Sequence, residues 1–202
     1  MVDLDRRAFF KHGLKQITET AVQYVDKKTT AKATQWIRPP YAINELAFIL
    51  ACNQCGNCID ACQYKVVFPL PANYGISVVK TPALDLNNKG CHLCTDIPCV
   101  TACDTGALKL PELPELSEST ANDNEKINTI AFEKMATATI ITEECLPFKG
   151  PECGACAASC TIEGALTWNG IKPVINNDFC VGCGMCREVC IANPKAIAIR
   201  HF

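Results

Sequence analysis

Sixteen cysteines, and the intervals between them, set the chemistry open to this 202-residue chain. They fall into four groups of four. The first is Cys52-x2-Cys55-x2-Cys58-x3-Cys62 and the fourth is Cys180-x2-Cys183-x2-Cys186-x3-Cys190. Three thiolates in so tight a loop cap one face of an iron–sulfur cubane, and the fourth, a helical turn further on, reaches a partner cluster. Gly56, Gly182 and Gly184 let the loop backbone curl close to the inorganic sulfides, where its N–H groups can point at them. Zinc sites use two ligand pairs separated by a long loop, not three pairs in succession. A disulfide framework needs an oxidising compartment, and its cysteines tend to be spread along the chain rather than clustered.

The two middle groups are variants of the same pattern. Cys91-x2-Cys94-x4-Cys99-x3-Cys103 has Pro98 before its third cysteine, and Cys145-x7-Cys153-x2-Cys156-x3-Cys160 lengthens a different loop. Each keeps the terminal Cys-x3-Cys. Four motifs of four thiolates therefore imply four 4Fe–4S clusters, with these sixteen cysteines as the iron ligands. Longer loops alter hydrogen bonding and solvent access, so the middle sites should differ in potential from the outer two. Gln63, Asp104, Thr161 and Ile191 stand after the fourth cysteines, where bacterial motifs usually place proline. The Asp104 carboxylate should favour the oxidised state of its neighbour.

Short elements must position these loops. Residues 138–142 and 165–168 bracket the third motif as strands, and residues 172–176 and 196–200 bracket the fourth. In the first half, residues 65–70, 83–86 and 107–110 can play the same part. Residues 43–51 before Cys52 read as a helix. The expected class is α+β: tandem bacterial two-cluster ferredoxin-like domains with short strands, short helices and much irregular chain. Two ligand assignments follow. In a neighbour pairing, Cys52, Cys55, Cys58 and Cys103 hold one cluster, and Cys91, Cys94, Cys99 and Cys62 its mate. Cys145, Cys153, Cys156 and Cys190, then Cys180, Cys183, Cys186 and Cys160, repeat this in the second half. A nested pairing joins the first motif with the fourth and the second with the third. The strand–motif–strand repeat favours neighbours.

The remaining chain divides around these motifs. Residues 1–37 are a basic, cysteine-free leader in which Phe10, Leu14, Ile17, Ala21 and Tyr24 recur at helical steps. Residues 38–110 form the first domain, 111–126 an acidic linker and 127–202 the second domain. Residues 1–38 carry eight Lys or Arg against four Asp or Glu, and residues 111–144 carry eight acidic against two basic residues. Each oxidised cluster adds about −2, so the loaded protein is anionic and nucleic acid is excluded as its main partner. No apolar run approaches a membrane span. No nucleophile–base pair, GxGxxG or Walker loop is present, which argues for an electron carrier without its own substrate site. His12, His92 and His201 read as surface or structural residues, and Trp36 and Trp168 as packing residues.

The run Arg38-Pro39-Pro40-Tyr41-Ala42-Ile43-Asn44-Glu45, followed by Cys52-Asn53-Gln54-Cys55-Gly56-Asn57-Cys58, resembles the NapF/NapG/MauM ferredoxin-type proteins. Cys91-His92-Leu93-Cys94-Thr95-Asp96-Ile97-Pro98-Cys99 and the long third motif resemble theirs as well. The resemblance implies an electron carrier or assembly factor in periplasmic nitrate respiration or a related membrane-linked pathway. Its implied partners are redox proteins: a membrane quinol-oxidising subunit, a molybdenum reductase, or both. The NapG branch implies a carrier outside the membrane, and the NapF branch implies cytoplasmic work on an immature reductase. Asp5-Arg6-Arg7-Ala8-Phe9-Phe10-Lys11 resembles a twin-arginine signal. Lys15, Glu19, Asp26, Lys27 and Lys28 interrupt the apolar stretch that export requires, so a cytoplasmic location with peripheral membrane contact through the leader is expected.

Overall fold

The computed structural model describes residues 36–111 and 132–201. The leader helix expected over residues 10–24, with Arg6, Arg7 and His12, lies outside the described residues, as does nearly all of the acidic linker.

The first half starts on a buried ion pair. Arg38 reaches Glu45 with its Nη2 at 2.5 Å and its Nε at 2.9 Å. It also donates to the Thr81 hydroxyl at 2.8 Å and to the Pro82 carbonyl at 2.7 Å. Its guanidinium lies over the Phe48 ring, and Trp36 Nε1 donates to the same Glu45 carboxylate. Both charged side chains are about nine-tenths buried, so this fork fixes the chain entry to the domain beneath it. Helix α1, Glu45–Ala51, follows, capped by Asn44, whose side chain accepts from the Ala47 N–H. Phe48 is its fully buried anchor. The helix expected before Cys52 is thus present.

Short helices α2, Asn57–Asp60, and α3, Pro98–Thr101, carry the first and second motifs. Between them β1, Val67–Pro69, pairs antiparallel with β2, Pro82–Leu84. Outside them Ala42 forms a bridge pair with Leu108. The second half has β3, Thr137–Ile140, then α4, Leu146–Lys149, and a 3-10 turn at Ala157–Ser159. Next come β4, Leu166–Asn169, β5, Lys172–Ile175, α5, Met185–Glu188, and β6, Ile197–Arg200. Here too the inner strands β4 and β5 pair with each other, and the outer strands β3 and β6 pair with each other. Each half therefore pairs the segment before its first motif with the segment after its second, and closes an inner hairpin between them.

Two expectations shift. The strand expected over 107–110 narrows to the single Leu108 pair, because the chain there is steered by bonds around the Ala42 edge: Ile43 N–H to the Ala107 carbonyl and Lys109 N–H to the Tyr41 carbonyl. Trp36 packs as expected, 6% exposed and edge-on to Tyr74, whereas Trp168 sits on the open face of β4 at 36%. The halves also share a core. Ile37, Val66, Leu84 and Leu93 from the first half join Met135, Ala138, Val181, Ile197 and Ile199 from the second in one apolar cluster.

Candidate iron–sulfur centres

The loops that present the cysteines turn through left-handed backbone. In three motifs the residue before the second cysteine has positive φ: Gln54 at 61°, Leu93 at 49° and Gly182 at 74°. This conformation curls the chain so that successive N–H groups face one hollow, an anion-holding arrangement. Glycine is required at 182, because a Cβ there would overlap the Ala136 carbonyl. Gln54 and Leu93 take the same turn at a cost of about 1 kcal/mol each. Nothing in their residue types signals it.

The fold gathers thiols that are far apart in sequence. Cys145, Cys153, Cys156 and Cys190 line one hollow. Cys160, Cys180, Cys183 and Cys186 line a second, and Cys62, Cys91, Cys94 and Cys99 a third. Four thiols apiece around each hollow suit one kind of occupant. Of the remaining four, Cys52, Cys58 and Cys103 pack on one apolar cluster, and Cys55 of the same motif is exposed and close enough to raise the Cys58 thiol. None of the sixteen is in a disulfide. Among the described residues no three His, Cys, Asp or Glu side chains converge closely enough for a single metal ion. Soft thiolates set around a wider hollow fit a multinuclear iron–sulfur group and fit poorly with zinc.

Burial dominates the thiol electrostatics. It pushes Cys58 up to about 11, helped by the neighbouring Cys103, Cys52 and Cys55. Cys99 is pushed to about 12 by burial and then by Cys91 and Cys62. Cys186 reaches about 12 and Cys183 about 11 for the same first reason. Cys103 goes the other way. Burial raises it, but N–H bonds led by that of Leu108, with the Thr105 hydroxyl, outweigh this and lower it. Sulfur acceptors recur at the motif ends: Val66 N–H to Cys62, Leu108 N–H to Cys103 and Ala196 N–H to Cys190, each at 3.4 Å. Such bonds stabilise a thiolate and raise the potential of whatever it holds. The His92 ring, at the wall of the Cys62, Cys91, Cys94 and Cys99 hollow, stacks on Tyr64 with centroids 3.5 Å apart.

The comparisons agree with this chemistry. A family described as 4Fe-4S binding domain matches residues 173–194, which run from within β5 through the fourth motif and α5. With the sixteen cysteines, this makes the chain a 4Fe–4S protein. The ferredoxin-type protein NapG of Escherichia coli (strain K12) is 32% identical over 176 residues, 81% of this chain and 69% of its own length. The methylamine utilization ferredoxin-type protein MauM of Methylorubrum extorquens is 30% identical over 210 residues, 96% of this chain and 88% of its own. The ferredoxin-type protein NapF of Escherichia coli is 29% identical over 163 residues. No solved structure matches the chain. Likeness of this extent places the chain in the family of ferredoxin-type proteins that includes NapG and MauM.

Proposed function

We propose that the chain carries four 4Fe–4S clusters in two tandem ferredoxin-like domains, residues 38–110 and 127–202, and conducts electrons for a respiratory oxidoreductase. The client class is a molybdenum enzyme such as periplasmic nitrate reductase, supplied from a membrane quinol-oxidising subunit. One observation carries the reading: each group of four thiols draws three from one motif and one from its neighbour in sequence. That sharing is the neighbour pairing, and it brings the two centres of each half side by side. Bound clusters supply one-electron redox chemistry. The chain's own part is to hold them by sixteen thiolates, to bury Cys58 and Cys145, and to bias the sites through the N–H groups of Val66, Leu108 and Ala196, which donate to the sulfurs of Cys62, Cys103 and Cys190.

A second reading, a NapF-like protein that acts on an immature molybdoenzyme in the cytoplasm, is favoured by the charges within the leader. Among the described residues no helix is long and apolar enough to cross a membrane. Both readings are tested by mixing dithionite-reduced protein with mature periplasmic nitrate reductase and nitrate. Recovery of the oxidised visible spectrum supports the carrier. Binding only to the immature, cofactor-free reductase, with no reoxidation, supports the second reading, and clusters that accept no electron at all would contradict both.

A further inference from the structure

The four motifs need not be wired in the order in which they occur. The backbone N–H of Cys91, which opens the second motif, donates a 2.7 Å hydrogen bond to the carbonyl of Cys183 in the fourth. Two more bonds fasten the same junction. Gly90 N–H donates to Glu188 Oε2 at 2.6 Å, and Arg187 Nε donates to the Asn87 carbonyl at 2.8 Å. Helix α5 thereby clamps the chain at residues 87–91 with charged groups at its own end. The approach is at backbone distance: a Cβ on Gly90 would stand 2.7 Å from the Met185 Cα and N, and one on Gly184 would stand 2.9 Å from the Leu86 carbonyl oxygen. Only glycine fits at such a contact. The cavities of Cys145, Cys153, Cys156 and Cys190 and of Cys160, Cys180, Cys183 and Cys186 are both lined by residues of the second half, and the bonds above attach the loop of the latter, through Cys183, to the second motif.

We propose that electrons cross between the halves at the Cys91–Cys183 hydrogen bond, so that the path leaves sequence order. It runs from Cys52/Cys55/Cys58/Cys103 to Cys62/Cys91/Cys94/Cys99, then to Cys160/Cys180/Cys183/Cys186, and ends at Cys145/Cys153/Cys156/Cys190. The inference rests on the four-cluster reading above. Tunnelling falls steeply with distance, and here two ligand residues are joined by covalent bonds and one short hydrogen bond. The other two steps lie within a half, where Cys58 and Cys99 pack on one apolar cluster and Cys156 and Cys186 on another. At each step one electron leaves a reduced centre as its oxidised neighbour gains it. The redox proteins that give and take electrons accordingly meet the two ends. Cys55 is exposed at one, and Ile191, 69% exposed, walls the other.

The path is tested by electron paramagnetic resonance on the full chain, because the magnetic interaction of two reduced clusters falls as the cube of their separation. Cys55→Ala with Cys153→Ala removes both ends and should leave about 8 iron per chain. On full reduction the two remaining centres, one from each half, should still show mutually broadened signals. Two narrow, independent signals with that iron content would overturn the proposal. If the double variant loses its iron, Cys186→Ala decides. With about 12 iron retained, it should leave the Cys145 centre as one narrow isolated signal beside a broadened pair. Three centres still coupled there would mean that the second motif reaches the third directly, against the proposal. Iron well below these values in both variants, and below about 16 in the parent chain, would instead sink the four-cluster reading, and the path with it.

Discussion

The N–H of Leu108 points at the sulfur of Cys103 from 3.4 Å, and the Thr105 hydroxyl lies 3.6 Å from the same atom. These donors make Cys103 a thiol lowered despite its burial. They belong to the turn that brings the chain back to pair Leu108 with Ala42, so the fold's outer pairing and the polarity of one centre have a single origin.

Removing one donor should therefore shift one potential. Thr105→Val deletes the hydroxyl and keeps the shape. A hydrogen bond worth about 0.5–1.5 kcal/mol corresponds to about 20–60 mV for one electron. The centre held by Cys103 should become harder to reduce by that amount in a spectroscopic redox titration, with the other potentials unchanged.

Cluster loading should depend on pH in a definite direction. Thiolates are the ligands, and burial pushes Cys58, Cys91 and Cys183 to about 11 and Cys99 and Cys186 to about 12. At neutral pH each of these must release a proton as iron binds. Anaerobic reconstitution followed at 400 nm, about where such clusters absorb, should accelerate between pH 7 and about 9. The cluster-free chain has the opposite dependence. Its raised thiols favour folding below their ordinary value near 9, and that contribution is lost as pH climbs through 11 to 12. Its thermal midpoint should fall over that window.

Backbone strain gives a pair of opposed substitutions. Gln54 and Leu93 hold the left-handed turn that Gly182 holds in the fourth motif. Gln54→Gly should relieve strain, offset in part by the greater freedom of the unfolded chain, and change stability by less than about 1 kcal/mol. Gly182→Ala meets the Ala136 carbonyl and should cost the fourth motif its cluster. Iron content and thermal midpoint, measured together, separate the two outcomes.

The buried Arg38–Glu45 fork should carry substantial stability. Arg38→Ala leaves the Glu45 carboxylate buried and unpaired, a loss of about 3–5 kcal/mol by analogy with other buried pairs. Arg38→Lys cannot reproduce the two-pronged contact or the bonds to Thr81 and Pro82, and should recover little of it. Denaturant midpoints of the three proteins would show this ordering.

The leader invites a separate test. Charged residues in every window of 8–37 cost about 2.5–3.5 kcal/mol each at a helix centre on insertion scales. Residues 1–40 fused to a reporter that works only after twin-arginine export should give no signal. Export abolished by Arg6→Lys with Arg7→Lys would place the protein outside the cytoplasm and favour the NapG role.

Much of the site was legible because cluster geometry dictates ligand spacing. Once three thiolates must cap one cubane face, intervals such as those from Cys52 to Cys62 have few other uses, and residues 43–51 read as the helix that became α1. What escaped was long-range or conformational. Nothing about Leu93 announces positive φ, and nothing about Gly90 announces a backbone contact with Met185 across the molecule. Phe132, close to the linker, packs on Tyr41 with ring centroids 5.8 Å apart, so a residue assigned to the second domain helps to close the first. Arg38 and Glu45 stand at the two ends of the run that resembles the family, and the fold joins them in a buried ion pair that nothing in their spacing announces.

The most direct test of the whole account is elemental. Protein purified without oxygen should contain about 16 iron and 16 acid-labile sulfide per chain, with no zinc, if four cubanes sit on sixteen thiolates. Iron near half that value, iron without matching sulfide, or zinc in its place would contradict the four-cluster assignment.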